Sequence, residues 1–137
     1  WIEKEFNNDH GRKAVKELFA DVSVFDFPKS VEYVKRMVTL GTRPGDIVLD
    51  FFAGSATTAQ AVLEANRADN GGRRFILVQL PEELPHDAKA RAFGHDTIAD
   101  VARNRIVRTV EKLSSSEQKK DKDLGFRAYA LAPSHFR

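Results

Sequence analysis

Asp46-Ile47-Val48-Leu49-Asp50-Phe51-Phe52-Ala53-Gly54-Ser55-Ala56-Thr57-Thr58-Ala59-Gln60 is the stretch on which the reading of this chain turns. Ile47, Val48 and Leu49 form a short apolar run with β-branched members, which predicts a buried strand. Asp50 stands at its end. Ala53-Gly54-Ser55-Ala56 is a small-residue turn. From Thr57 the spacing becomes helical, with Ala61, Val62 and Ala65 on one side. Strand, acid, small-residue loop and helix make up half of a parallel α/β unit, whose ligands bind at the carboxyl ends of the strands. Small residues let backbone approach a ligand, and a helix N-terminus favours a negative group. No Gly-Lys-Ser/Thr follows, so this is not a P-loop, and the glycines of the dinucleotide fingerprint are missing. A strand–turn–helix that binds nothing is the other reading of the same residues.

Downstream, a helix is expected over Thr57–Ala68, then a loop at Asp69-Asn70-Gly71-Gly72. Phe75-Ile76-Leu77-Val78 predicts a second buried strand, parallel to the first and beside it, because strands joined by one helix pair that way. Gln79-Leu80-Pro81-Glu82 follows its end. Asp96 is expected to cap a helix from Thr97 to about Leu113, with Ile98, Val101, Ala102, Ile106, Val110 and Leu113 on its apolar stripe. At helical spacing Arg105 falls inside that stripe. It must either run its stem along the apolar face with its head in water, or meet an acid or backbone carbonyls. Residues 114–123 are charged and of low complexity, an exposed or disordered loop. Leu124–Leu131 is expected to form a last strand at the sheet edge, ended by Pro133.

Upstream, Val15, Leu18 and Phe19 predict a short helix over Arg12–Ala20. Phe25-Asp26-Phe27-Pro28-Lys29-Ser30 breaks it, and Ser30 is a good N-cap for a helix carrying Val31, Val34, Met37 and Val38. Gly41 should end that helix, and Arg43-Pro44-Gly45 turns into the central strand. His86 and His95 have no ligand spacing to a second metal donor and read as solvated loop residues.

The 137 residues are one domain's worth of chain. Hydrophobic residues at 42% allow a real core, and charged residues at 31% cover a surface. No apolar run approaches the ~20 residues that span a bilayer, so no membrane partner is expected. Cysteine is absent, which excludes disulfides and cysteine-ligated zinc and fits a cytoplasmic setting. A net charge of +2 permits nucleic-acid binding without indicating it.

Leu49-Asp50-Phe51-Phe52-Ala53-Gly54-Ser55-Ala56-Thr57-Thr58 resembles the S-adenosylmethionine-binding motif of amino-methylating DNA methyltransferases. With its flanks it is most similar to the modification subunit of type III restriction–modification systems. Phe25-Asp26-Phe27-Pro28-Lys29-Ser30 resembles the upstream motif, of Phe-x-x-Pro-Lys type, that closes the other side of that cofactor site. Phe75-Ile76-Leu77-Val78-Gln79-Leu80-Pro81-Glu82, Gly125-Phe126-Arg127 and Ser134-His135-Phe136 resemble the same family. The resemblance implies a Rossmann-like S-adenosylmethionine-dependent methyltransferase fold with a partial parallel sheet. It implies a cofactor site drawn from Phe27, Lys29, Ser30, Asp50, Phe52, Ala53, Gly54, Ser55, Thr57, Thr58 and Gln79. Asp50 would face the methionine amino group, and Lys29 and Ser30 the methionine carboxylate. Gln79 stands where the wider class has an acid for the ribose hydroxyls, and its amide can still accept one such bond. Glu82 is the second candidate for that place. Where the family has Gly, this chain has Ala56, whose methyl is comfortable only at negative φ.

Base methylation also needs acceptors that activate the amino nitrogen, which the family takes from an Asp/Asn-Pro-Pro-Tyr/Phe motif. No such tetrapeptide occurs here, so no catalytic residue is assigned. The chain is expected to be the C-terminal, cofactor-binding half of an adenine-specific DNA methyltransferase, and its start at Trp1 fits removal of a preceding half. Expected partners are DNA through the full-length protein, a restriction subunit, and a second copy in a homodimer. A non-catalytic cofactor-binding or interaction module on the same fold is the alternative.

Overall fold

In the computed structural model, which describes residues 7–20, 24, 25, 27–115 and 124–132, two short strands and the helix between them form the centre. β1 (Ile47–Asp50) pairs in parallel with β2 (Arg74–Leu77), in the register Ile47 to Arg74 through Asp50 to Leu77. The connection is α3 (Thr57–Asp69), as the two apolar runs and the helical spacing between them require. Asn70 closes α3 in the left-handed conformation at φ 54. Arg73 then locks the corner, donating to Asp69 and to Thr42 Oγ1.

Three further helices pack around this unit. α1 (Asn8–Leu18) starts earlier than its apolar spacing indicates, because Asn7 caps it by accepting from His10 N–H at 3.0 Å. α2 (Val31–Gly41) starts where expected, with Ser30 Oγ accepting from Tyr33 N–H. α4 (Ile98–Ser114) is capped by Thr97, not by Asp96. Thr97 and Asp100 satisfy each other's backbone N–H in a capping box, which supplies two of the orphan donors at once. Asp96 instead accepts from Arg91 at 2.9 Å.

One side of the sheet carries the core. Val48 and Phe75 meet Val38, Val62 and Ala65 of α2 and α3. Phe75 and Leu77 also meet Ala56, Ala59, Leu63, Ala102 and Ile106. A second core lies away from the sheet, where Val15, Leu18 and Phe19 pack on Leu84, Ala90 and Val101. His95 belongs to it: the ring is buried and stands edge-on to Phe19. The expectation of a solvated His95 therefore fails, because the turn at Gly94 folds it inward; His86 is exposed as expected.

Two other expectations are corrected. The strands are not buried on both faces: Ile47, Leu49 and Ile76 are 50%, 55% and 52% exposed. Nor is there a strand over 124–132. Leu124 and Phe126 alternate inward and pack on the α3–α4 cluster, but this segment makes no ladder. Period-two alternation reports which side chains are covered, not whether the backbone is paired. The expected loop beyond Ser115 and the Ser134-His135-Phe136 ending lie outside the described residues. Among the described residues, no helix is long and apolar enough to cross a membrane.

Candidate functional site

The carboxyl ends of β1 and β2 meet under the loop that joins β1 to α3. Ala53 N–H donates to Val78 O at 3.2 Å, which ties the loop to the end of β2. Asp50 closes β1. Its Oδ1 accepts from Phe52 N–H at 3.1 Å and its Oδ2 from Thr58 Oγ1 at 2.6 Å. One carboxylate thus binds both arms of the loop and keeps a further lone pair on each oxygen.

Gly54 sits at the crest with φ 52, where a side chain is strained. Its N–H donates to Gln79 Oε1 at 2.7 Å, while Gln79 Nε2 donates to Leu80 O. Gln79 thus lies just past the end of β2 and holds the loop. Glu82 backbone is taken up elsewhere, accepting from Ile98 N–H.

Ala56 follows in the left-handed region at φ 62, fully buried, as the N-cap of α3 without a side-chain cap bond. The negative φ that would ease its methyl is not what the loop adopts. That conformation costs roughly 1–2 kcal/mol for a residue with a Cβ, and the methyl offsets part of it by packing on Ala59, Leu63 and Ile106.

The hydroxyls of Ser55 and Thr57 point into the protein. Arg105 Nη1 donates to Ser55 Oγ at 2.8 Å, to Ser55 O at 3.2 Å and to Thr57 Oγ1 at 2.9 Å. Arg105 Nε donates to Gln60 Oε1 at 2.9 Å, and Gln60 in turn donates to Glu64. Arg105 is fully buried, so its head does not run out to water; it meets one backbone carbonyl, as expected, but otherwise two hydroxyls and an amide oxygen and no acid. Burial pushes its pKa down to about 10, against a smaller opposing pull from Glu64.

The upstream segment reaches the same loop. A methyl group on Gly54 would lie 3.8 Å from Phe25 Cζ. Pro28 is buried, Ser30 is buried at the start of α2, and Lys29 is exposed. α1 seats this segment: a Cβ on Gly11 would fall 2.2 Å from Pro28 O. Phe27 and Phe52 are 68% and 86% exposed. A cavity of about 280 Å³ opens beside Asp50 and Thr58, walled by Val34, Met37, Val38 and Leu49. A second, of about 260 Å³, lies between His10, Lys13, Glu17 and Lys112 and reaches Ser30 and Gln60.

Sequence reading missed three supports. Gln60 gives no signal. Phe25 had one as the first residue of the Phe-x-x-Pro-Lys segment, though it was not named for the site. Gly11 had none, since it precedes the helix expected over Arg12–Ala20. No group of residues able to hold a metal occurs among the described residues.

Fold and loop together define an α/β unit of the class that binds ligands at the carboxyl edge of a parallel sheet. The comparisons narrow it: residues 1–90 match the model of the DNA methylase family, and the chain belongs to that family. It is 39% identical over 126 residues to the Mod subunit of the type III restriction-modification enzyme StyLTI of Salmonella typhimurium, covering 92% of this chain and 19% of that protein. The EcoP15I Mod subunit of Escherichia coli is 35% identical, over 87% of this chain and 17% of that protein. The type II methyltransferase M.KpnI of Klebsiella pneumoniae is 30% identical, over 77% and 25%. The chain thus spans about a fifth of the length of its type III relatives.

Proposed function

We propose that this chain is the S-adenosylmethionine-binding part of a DNA adenine-N6 methyltransferase of a restriction–modification system. Its β1–α3–β2 unit would belong to a larger Rossmann-like sheet. The observation that carries the reading is the loop around Gly54, held open at the carboxyl ends of two parallel strands by Asp50 on one side and Gln79 on the other.

The donor set fits the cofactor. Asp50 has lone pairs left for an ammonium group, and Gln79 for a ribose hydroxyl. Exposed Lys29, beside Ser30 at the start of α2, supplies charge for a carboxylate. Phe27 and Phe52 offer apolar surface to a base. Backbone at Ala53 and Gly54 can approach closely because little side chain stands in the way. Ser55, Thr57 and Thr58 serve through the loop shape they maintain. When bound, S-adenosylmethionine supplies the methyl group on its sulfonium.

The acceptors that activate an adenine amino group are not among the motifs of this chain. They would come from the rest of a longer protein, together with the contacts to DNA, a restriction subunit and a second copy. Such an enzyme works in the cytoplasm. This chain alone should then transfer no methyl group to an adenine-containing duplex.

Calorimetric titration with S-adenosylmethionine tests the reading. One saturable site on the folded chain supports it. No heat of binding would leave a non-catalytic interaction module, in which Asp50 and Gln79 only brace their own loop.

A further inference from the structure

Arg105 is an expensive residue to keep where it is. It is fully buried, and its hydrogen-bond acceptors are all neutral oxygens: two hydroxyls, a side-chain amide and a backbone carbonyl. No carboxylate forms an ion pair with it among the described residues, and its Nη2 has no partner there. Burying a charge carries a desolvation cost that neutral acceptors offset only in part. The charge also stands at the N-terminus of α3, the positive end of the helix dipole, where a cation is unfavourable. Core stability therefore does not explain it.

Its contacts do. The four acceptors lie on Ser55, Thr57 and Gln60, on both sides of left-handed Ala56. From the segment that follows β2, Gln79 holds Gly54 N–H. The loop is gripped at both ends of its crest, by α4 from beneath and by β2 from its edge. A planar guanidinium presents several donors in a fixed fork, and here one fork reaches both sides of a strained turn. We propose that Arg105 is a positioning residue, which holds the loop from Ala53 to Thr57 in its ligand-ready form. The part of the proposal that concerns cofactor affinity rests on the functional reading above; the part that concerns loop order does not.

The test compares the native chain with Arg105→Met and Arg105→Lys. Amide hydrogen exchange is read residue by residue, and affinity for S-adenosylmethionine by calorimetry. In Arg105→Met, protection at Ala56 and Gln60, whose N–H groups bond within the loop and first turn, should fall at least tenfold. Amides of β1, β2 and α2 should keep theirs. Cofactor affinity should fall at least tenfold in the same variant. Arg105→Lys keeps the charge but not the fork, and should recover part of both. Loop protection unchanged in folded Arg105→Met would overturn the proposal. So would a uniform loss at all amides, or failure of both variants to fold, which would make Arg105 a general structural residue. If the native chain binds no cofactor, the functional reading fails while the exchange result still decides the role of Arg105.

Discussion

The two faces of the sheet are made of similar residues and meet different surroundings. On one, Val48, Phe75 and Leu77 lie under α2, α3 and α4. On the other, Ile47, Leu49, Ile76 and Val78 are each about half exposed, with Phe51 and Leu80 extending the patch. Parallel strands are ordinarily covered on both faces, and their sequences read as continuous apolar runs for that reason. Both faces here carry the sequence of a core strand, and only one has a core. The difference teaches that an apolar run records the environment a strand is built for, which need not lie within the same stretch of chain.

Deleting the same side chain on either side should break this comparison if it is wrong. Leu63→Ala, from the covered side, should cost about 2–5 kcal/mol of unfolding free energy. Leu49→Ala, from the bare side, should cost under about 1 kcal/mol, because half of that side chain is already in water. Urea unfolding of the two variants reads the contrast, and equal losses would mean that the bare face is covered in solution.

Asp50 lies in the covered row, opposite Leu77, but its carboxylate serves the edge. Asp50→Ala should lower cofactor affinity by at least tenfold, since a charge-assisted hydrogen bond contributes roughly 1.5–3 kcal/mol. Unchanged affinity by calorimetry would remove Asp50 from the site.

The second core should respond to acid. Burial lowers the His95 pKa below its ordinary 6.5, with Asp100 opposing. A base whose folded pKa is depressed binds fewer protons folded than unfolded. Its contribution is thus fully present above pH 6.5 and is lost as pH falls through the lower folded value. Stability followed by urea unfolding from pH 7.5 downward should show this fall, and His95→Gln should flatten it. The smallest effect belongs to Ala56→Gly. Relief of the left-handed strain and loss of a buried methyl oppose each other, so the net change should stay under about 1 kcal/mol.

The pairing of β1 with β2, the helix between them and the cap at Ser30 were all legible, because each rests on local pattern. Asp50 and Gln79 could be placed at strand ends for the same reason. Arg105 could be placed in the core by helical phase, but its partners on Ser55, Thr57 and Gln60 could not, because they depend on how α4 crosses α3. The inward turn of the Ser55 and Thr57 hydroxyls was hidden by the same fact. His95 was misread because polarity of the surrounding segment says nothing about one ring that finds Phe19. The paired strand expected over Leu124–Leu131 failed because burial alternation and backbone pairing are separate properties.

Backbone amide shifts recorded while the chain is titrated with S-adenosylmethionine test the central claim most directly. Changes should concentrate at Phe52–Thr58, at Gln79 and at Lys29. Changes gathered instead around His10, Lys13, Glu17 and Lys112, or no changes at saturating cofactor, would contradict it.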